Sequence, residues 1–317
     1  MNRCDLTVIM DPIEAIDPHK DSSLALLLEA QAREWRIHYG GLADIWLRDG
    51  QAFGRLTELH VADDPASWFD LGDASMTALG EMDVILMRKE PPFDAEYVFA
   101  TYVLQRAEDQ GAVVVNSPQG LRDANEKAFV AWFPECVPPT LITRSLEDMR
   151  SFIDEHRRVV VKPLDLMAGR LVFVTDAEDG NRNVILETVT DQGKRYAVAQ
   201  KYVPDIVDSG DKRIMLIDGE PIPMALARIP AQGEHRGNLA TGARPEVRPL
   251  TDRDRWICER IGPVLRERGL LFAGIDVIGD YMTEVNVTCP TGIRELEHGS
   301  DLRVSGRVFD AITSRLA

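Results

Sequence analysis

The sequence predicts a mixed α/β fold, mostly parallel in its N-terminal third and built from hairpins towards its C-terminus. Short apolar runs at residues 6–10, 84–87 and 112–116 alternate with helical periodicity at 22–34 and 94–110, the pattern of a parallel sheet with covered faces. Asp218-Gly219 later separates two apolar runs, and a tight turn joins runs 271–278 and 282–286, as in hairpins. Charged residues are 28% and hydrophobic residues 44% of the 317 positions, the composition of a globular chain with a substantial interior.

Taken in order, residues 6–10 read as a first strand and 22–34 as a helix with Leu24, Leu27 and Leu28 at helical spacing. Residues 45–47 and 51–53 flank Asp49-Gly50 as a small hairpin, whereas 57–80 are polar and carry no period. Helical stretches near 121–133 stop at Val137-Pro138-Pro139. A strand at 140–143 precedes a helix at 145–156, where Ser145 and Asp148 have capping-box spacing. Strands at 159–162 and 171–175 flank a loop at 163–170, and 196–203 is a further strand. Residues 213–217 and 221–227 form a hairpin, and a long polar loop at 229–249, rich in Gly, Arg and Pro, follows it; loops of that length are commonly functional. Helices at 251–268 and 300–316 enclose the last pair of strands.

Charge and composition exclude several classes. The net charge is −16, which disfavours nucleic acid and anionic membranes, since both require a positive field. No apolar run approaches the ~20 residues needed to span a bilayer. The first eleven residues read as a strand and not as a signal peptide. Cys4, Cys136, Cys258 and Cys289 are scattered without a C-x-x-C pair, so a disulfide framework or structural zinc site is not expected and a reducing cytoplasm is.

The strongest chemical signal is the run Gly274 to Asn286. Side chains alternate faces on a strand, so Glu284 and Asn286 share one. A three-residue turn at Gly279-Asp280-Tyr281 would set Asp276 opposite Glu284 on that same face; a two-residue turn would send it to the other. In the first case two carboxylates and an amide oxygen converge, a partial oxygen set that suits magnesium. The plain alternative is an exposed polar hairpin face. Asp276 lies between Ile275 and Val277 in a strand expected to be buried, and a buried charge needs a partner.

The second signal is a set of cations. Lys127 follows Asn125-Glu126, and Lys162 ends the apolar run Val159-Val160-Val161 beside a glycine-containing loop. Arg213 and Arg228 lie on the two strands of one hairpin, and Arg236 and Arg244 in the long loop. Guanidinium forks suit phosphate and carboxylate. Singly each reads as a surface cation; as a group at strand ends and in one loop they do not.

These segments together resemble the ATP-grasp enzymes and, within them, bacterial glutathione synthetases. The resemblance is carried by Val8 to Ile13, Lys20 to Ser23, Arg88-Lys89-Glu90-Pro91-Pro92-Phe93-Asp94, Asn116 to Asp123, Asn125-Glu126-Lys127, Val161 to Asp165, Gly210 to Arg213, Ala227 to Pro230, Arg236 to Leu239, and the run from Gly274 to Glu295. It implies an N-terminal substrate-side unit at 1–123, a central lid at 124–203 and a C-terminal unit at 204–317, the last two forming a two-part ATP-grasp fold that holds ATP between them. It implies a ligase that joins γ-glutamylcysteine and glycine through an acyl phosphate, releasing ADP and phosphate. By resemblance Lys127 and Lys162 contact the phosphates, with the loop residues Asp165, Met167 and Gly169 beside them. Gln200, Lys201, Tyr202 and Val203 form the adenine edge, and Asp211 meets the ribose. Arg213 and Arg228, with Lys162, act on the transferring phosphate. Asp276, Glu284 and Asn286 hold magnesium, for which manganese substitutes. Arg88, Arg236 and Arg294 serve the substrates, and Asp11, Asp21 and Ser22 shape the peptide pocket. The resemblance also implies a cytoplasmic homo-oligomer, often a tetramer.

The sequence departs from the family pattern in two loops. The family's Asp-Gly-Met-Gly-Gly reads Asp165-Leu166-Met167-Ala168-Gly169, followed by Arg170, and Gly-Gly-Arg-Gly reads Gly242-Ala243-Arg244-Pro245. A left-handed Leu166 would be strained, Arg170 would add a phosphate partner, and Pro245 would stiffen its loop. A ligase for another γ-glutamyl or peptide pair, or a catalytically weak nucleotide binder, is the alternative. Cys289 is expected to be a packed small residue and not a nucleophile.

Overall fold

The computed structural model describes residues 4–167, 169–234, 237 and 242–316. Three sheets follow one another along the chain. The first contains β1 (Asp5–Ile9), β2 (Arg36–Gly40), β3 (Ile45–Arg48), β4 (Gln51–Val61), β5 (Phe69–Ala78), β6 (Val84–Met87) and β7 (Val113–Val115). Its order is β3-β4-β2-β1-β6-β7, with β5 also paired to β4. The pairs β2–β1, β1–β6 and β6–β7 are parallel, and the pairs made by β4 are antiparallel. The helices of this part are α1 (Ser22–Ala32), α2 (Ala95–Asp109) and α3 (Pro118–Asp123). Both α1 and α2 start at an aspartate N-cap: Asp21 accepts the Leu24 N–H and Asp94 the Tyr97 N–H.

The second sheet is antiparallel, in the order β10-β9-β11-β8, from β8 (Thr140–Thr143), β9 (Arg158–Pro163), β10 (Phe173–Asp176) and β11 (Ala197–Lys201). Helices α4 (Leu146–His156) and α5 (Arg182–Val189) cover it. The short helix α6 (Ile206–Ser209) leads to the third sheet, β14-β13-β12-β15-β16. Its strands are β12 (Asp211–Ile217), β13 (Glu220–Ile229), β14 (Arg244–Pro249), β15 (Phe272–Ile278) and β16 (Tyr281–Asn286). Helices α7 (Asp252–Glu267), α8 (Ile293–His298) and α9 (Val304–Thr313) complete the chain.

The second sheet has its own apolar core, around Met149, Ile153, Val159, Val161 and Leu186. Two larger cores are each shared by the first and third parts: one joins Ile9 and Leu104 to Ile261 and Ile275, the other Leu24 and Leu86 to Met215 and Phe309. The middle layer is therefore packed separately from the body formed by the other two.

Several local readings change. Residues 57–80, without period in the sequence, continue β4 and then form β5, whose residues are exposed or half-buried throughout; a strand that buries neither face has no reason to alternate. The stretch 121–133 is only the end of α3 and one 3-10 turn. Ser145 accepts the Asp148 N–H, so half of the expected capping box forms. The long loop ends in β14, with Pro245 on that edge strand, where a missing donor is tolerated. The closing helix begins at Val304. Leu166 is not left-handed; Gly169 (φ 72°) and Leu171 (φ 54°) take positive φ instead.

Candidate active site

A cavity of about 650 Å³ lies where the three sheets meet. Its floor is one face of the third sheet. On β12, Asp211 and Arg213 point to the cavity while Lys212 points to the opposite face, where its ammonium meets the buried Asp254 carboxylate of α7 at 2.5 Å. Across the ladders Arg213 is opposite Asp276, Asp276 opposite Glu284, Gly274 opposite Asn286 and Asp211 opposite Arg228. Alternation thus gathers charged groups from four strands on one face.

The turn between β15 and β16 corrects the three-residue reading. Ile278 pairs with Tyr281 and Val277 with Met282, so the turn is Gly279-Asp280, two residues. The register then shifts and Asp276 pairs with Glu284, leaving Thr283 as the extra residue of a β-bulge. The bulge restores the juxtaposition that a two-residue turn alone would have removed. It also exposes the Thr283 carbonyl, which accepts the Lys162 ammonium at 3.1 Å.

The charges interlock. Arg213 donates to both Asp276 oxygens, at 2.5 and 3.0 Å, and Arg228 lies 3.1 Å from Asp276 Oδ2 and 2.5 Å from Asp211 Oδ2. Lys127 reaches from before the second sheet to Glu284 Oε1 at 2.8 Å and to the Leu166 carbonyl at 2.5 Å. Burial would raise the Asp276 carboxyl, but Arg213 and Arg228 outweigh it and hold it well below the usual carboxylate range. Burial, helped by the charge of Asp276, overcomes Arg228 at Asp211 and pushes it up to about 6. Glu284 is held down against burial by Lys127 and Lys162. Burial opposes the Lys127 charge, yet Glu284 and Glu126 raise its pKa; burial and Lys127 lower that of Lys162.

The other walls come from the first and second sheets. Gln200, Lys201, Tyr202 and Val203, at the end of β11, line one side with Met167 and Gly169. Arg88, just past β6, lines the opposite side with Asp11 and Asp21. Arg88 is buried and donates to Ser23 Oγ and to the Pro290 carbonyl, each at 3.0 Å. Three predicted residues do not line the cavity. Ser22 uses its hydroxyl to accept the N–H groups of Gly292 and Ile293. Asp165 lies 3.7 Å from Arg195 and borders a small neighbouring crevice. Arg294 is buried and donates to Asp63 at 2.8 Å, its Nε without a partner among the described residues. Arg236 lies outside the described residues.

Some lining residues receive no role from the sequence, among them Glu90, Glu126, Thr288 and Glu295. The Asn-Glu-Lys run marks Glu126 locally, but nothing local tells that it meets Val287 and Thr288. Cys289, expected to be packed away, is half-buried and lines the cavity, and burial pushes its thiol up to about 12.

The donor set fits a hard divalent cation. Among the described residues no group of three His, Cys, Asp or Glu is placed to hold a metal, but the Asn286 amide donates its nitrogen to the Gly274 carbonyl at 3.2 Å, which leaves its oxygen for another partner, and Asn286 shares the strand face of Glu284, which Asp276 meets across the ladder. A carboxylate bonded to arginine keeps further lone pairs. Two carboxylates and one amide oxygen leave positions for water and phosphate, as magnesium favours.

Comparison with known proteins gives the same direction. The model of the prokaryotic glutathione synthetase N-terminal domain matches residues 4–122, and that of the prokaryotic glutathione synthetase ATP-grasp domain matches residues 126–301. The chain is 54% identical over 312 residues to the glutathione synthetase of Pseudomonas aeruginosa, with 98% of each chain covered. It is 51% identical over 310 residues to that of Coxiella burnetii, covering 98% of this chain and 96% of the relative. Among solved structures it is similar to D-cycloserine synthetase, with TM-score 0.70, 15% identity and coverage of 99% and 100%. It is also similar to D-alanyl-alanine synthetase A of Vibrio cholerae, with TM-score 0.61, 12% identity and coverage of 100% and 99%. At these identities the two structures speak for the fold alone.

Proposed function

The chain belongs to the prokaryotic glutathione synthetase family, and from that premise we propose that it joins γ-glutamylcysteine to glycine, converting ATP to ADP and phosphate. The observation that carries this reading is the convergence of Lys127, Lys162, Arg213 and Arg228 with Asp276 and Glu284 on one cavity floor, in a chain that matches the family along nearly its whole length. We read residues 1–123 as the substrate-side unit, 124–203 as the lid and 204–317 as the unit carrying the floor.

A free carboxylate is a poor acyl donor and must be activated. The cysteinyl carboxylate attacks the γ-phosphorus of ATP, ADP leaves, and the resulting acyl phosphate is attacked by the glycine amine; phosphate departs with the acyl–oxygen bond and the amine loses a proton. Lys127 and Lys162 hold the phosphates, and Arg213 and Arg228 offset charge on the transferring group. Magnesium, held by Asp276, Glu284 and the Asn286 oxygen, would neutralise the nucleotide's phosphate tail. The backbone of Lys201 and Val203 reads the adenine, between Gln200 and Tyr202. Asp211, whose buried Oδ1 has no partner among the described residues, takes a ribose hydroxyl. Arg88 grips a carboxylate, with Asp11 and Asp21 shaping that end; Met167 and Gly169, with Asp165 beside them, belong to the loop over the phosphates. Closure of the separately packed lid excludes water from the acyl phosphate.

We place the enzyme in the cytoplasm, in keeping with four free cysteines; among the described residues no helix is long and apolar enough to cross a membrane. We propose a homo-oligomer, for which the exposed Phe99 and Tyr102 of α2 and the outer edge of β5 offer surface to cover. The test of the activity is release of ADP and phosphate only when γ-glutamylcysteine and glycine are both present; equal release without them contradicts it.

A further inference from the structure

We propose that Glu126 is a positioning residue that sets the distance between the metal end and the carboxylate end of the cavity. Strand β16 carries Glu284 and Asn286 and stops at Asn286. Four residues later the Pro290 carbonyl accepts the Arg88 guanidinium. The connecting segment leaves the ladder, so the N–H groups of Val287 and Thr288 need partners elsewhere. Glu126 supplies them. Its Oε1 accepts the Val287 N–H at 2.9 Å, the Thr288 N–H at 3.0 Å and the Thr288 hydroxyl at 2.8 Å. Its own carbonyl accepts the Val285 N–H at 2.9 Å. The next residue, Lys127, binds Glu284 from the same backbone turn.

One residue therefore anchors the strand end on both sides of Asn286, through its backbone carbonyl before it and its side-chain carboxylate after it. Hydrogen bonds to a carboxylate are short and strong, and groups behind metal ligands fix the orientation of those ligands. If Glu126 lets go, Asn286 loses its fixed direction, and the Pro290 carbonyl that holds Arg88 moves with it. Both ends of the cavity then lose alignment, although Glu126 is assigned to neither.

The inference rests on the reading of Asp276, Glu284 and Asn286 as metal ligands and of Arg88 as a carboxylate grip, and its test separates the two. Binding of Mn²⁺ to the full chain in the presence of ADP is measured by the electron paramagnetic resonance of free Mn²⁺, ADP binding in EDTA by calorimetry, and KM for γ-glutamylcysteine by phosphate release. Glu126→Ala is expected to weaken Mn²⁺ binding about tenfold or more and to raise that KM, with metal-free ADP binding unchanged. Glu126→Gln keeps an oxygen acceptor and is expected to restore Mn²⁺ binding to within about threefold of the unsubstituted protein. Thr288→Val, which removes one donor, is expected to fall between them and carries the test if Glu126→Ala does not fold. Unchanged Mn²⁺ binding in Glu126→Ala or Thr288→Val, or equal damage to metal-free ADP binding, overturns the positioning role alone. Failure of the unsubstituted protein to bind one Mn²⁺ with ADP overturns the metal reading and this inference together.

Discussion

Asp276 faces Glu284 across two antiparallel strands because Thr283 bulges out of the ladder between them and the turn. The two carboxylates belong to different ion-pair systems, Asp276 to Arg213 and Arg228, Glu284 to Lys127. Replacing Asp276 by Asn should therefore do two things. It removes the charge of a proposed metal ligand, and it leaves two buried guanidinium groups short of a counter-ion. Turnover is expected to fall by about 100-fold or more, and the metal-free melting temperature to drop because breaking a buried pair is costly. Phosphate release and a circular-dichroism melt check both.

Lys162 has the opposite balance. It is buried and, among the described residues, hydrogen-bonds only the Thr283 carbonyl, and burial with Lys127 lowers its pKa. Its charge is a cost to the ligand-free fold. Lys162→Met should raise the stability of the ligand-free protein by about 1 kcal/mol at pH 7 while reducing the thermal shift produced by ADP with magnesium. Loss of stability together with an undiminished ADP shift would contradict the assignment.

The pH dependence of the ligand-free protein should carry the mark of Asp211. Its pKa is raised in the fold to about 6 from an unfolded value near 4. The folded state thus binds this proton more tightly, so its contribution is fully present below about pH 4 and is lost as pH rises towards 6. Urea unfolding between pH 4 and 8 should show Asp211→Asn losing that decline and being relatively more stable at pH 7 than at pH 4.

Gly274 leaves the room that Arg213 occupies: a Cβ there would lie 2.7 Å from Arg213 Cδ. Gly274→Ala is expected to displace the guanidinium and lower kcat by up to about 100-fold, as small misplacements of positioned groups do. KM for ATP should change much less.

Cys289 lines the cavity, yet burial pushes its thiol up to about 12, as it does for Cys4 and Cys258. The thiolate is the reactive form, so alkylation by iodoacetamide at pH 8 should be much slower than for a free thiol. Cys289→Ala should retain kcat within about twofold, because the reaction needs no nucleophilic side chain.

Much of this site was legible in the sequence because strand alternation is a local rule. Asp211 and Arg213, or Glu284 and Asn286, must share a face wherever their strands go. The bulge at Thr283 was not legible. Around it β16 meets Lys162 and the backbone carbonyls of Glu126 and Cys136, more than a hundred positions away in each case, and no local pattern reports such contacts. The exposed β5 escaped because a strand that covers no core has no apolar period to read. Ser22 was expected at the substrate; the fold instead uses it to hold the Gly292 and Ile293 N–H groups at the start of α8, a contact between ends of the chain that no local pattern announces.

The most direct measurement follows oxygen. γ-Glutamylcysteine labelled with ¹⁸O in its cysteinyl carboxylate is converted with ATP, magnesium and glycine, and the released phosphate is weighed by mass spectrometry. Activation by phosphorylation requires that one labelled oxygen leave with each phosphate. Phosphate free of label, formed in step with the peptide, would contradict an acyl phosphate and with it the role given to the cations on the cavity floor.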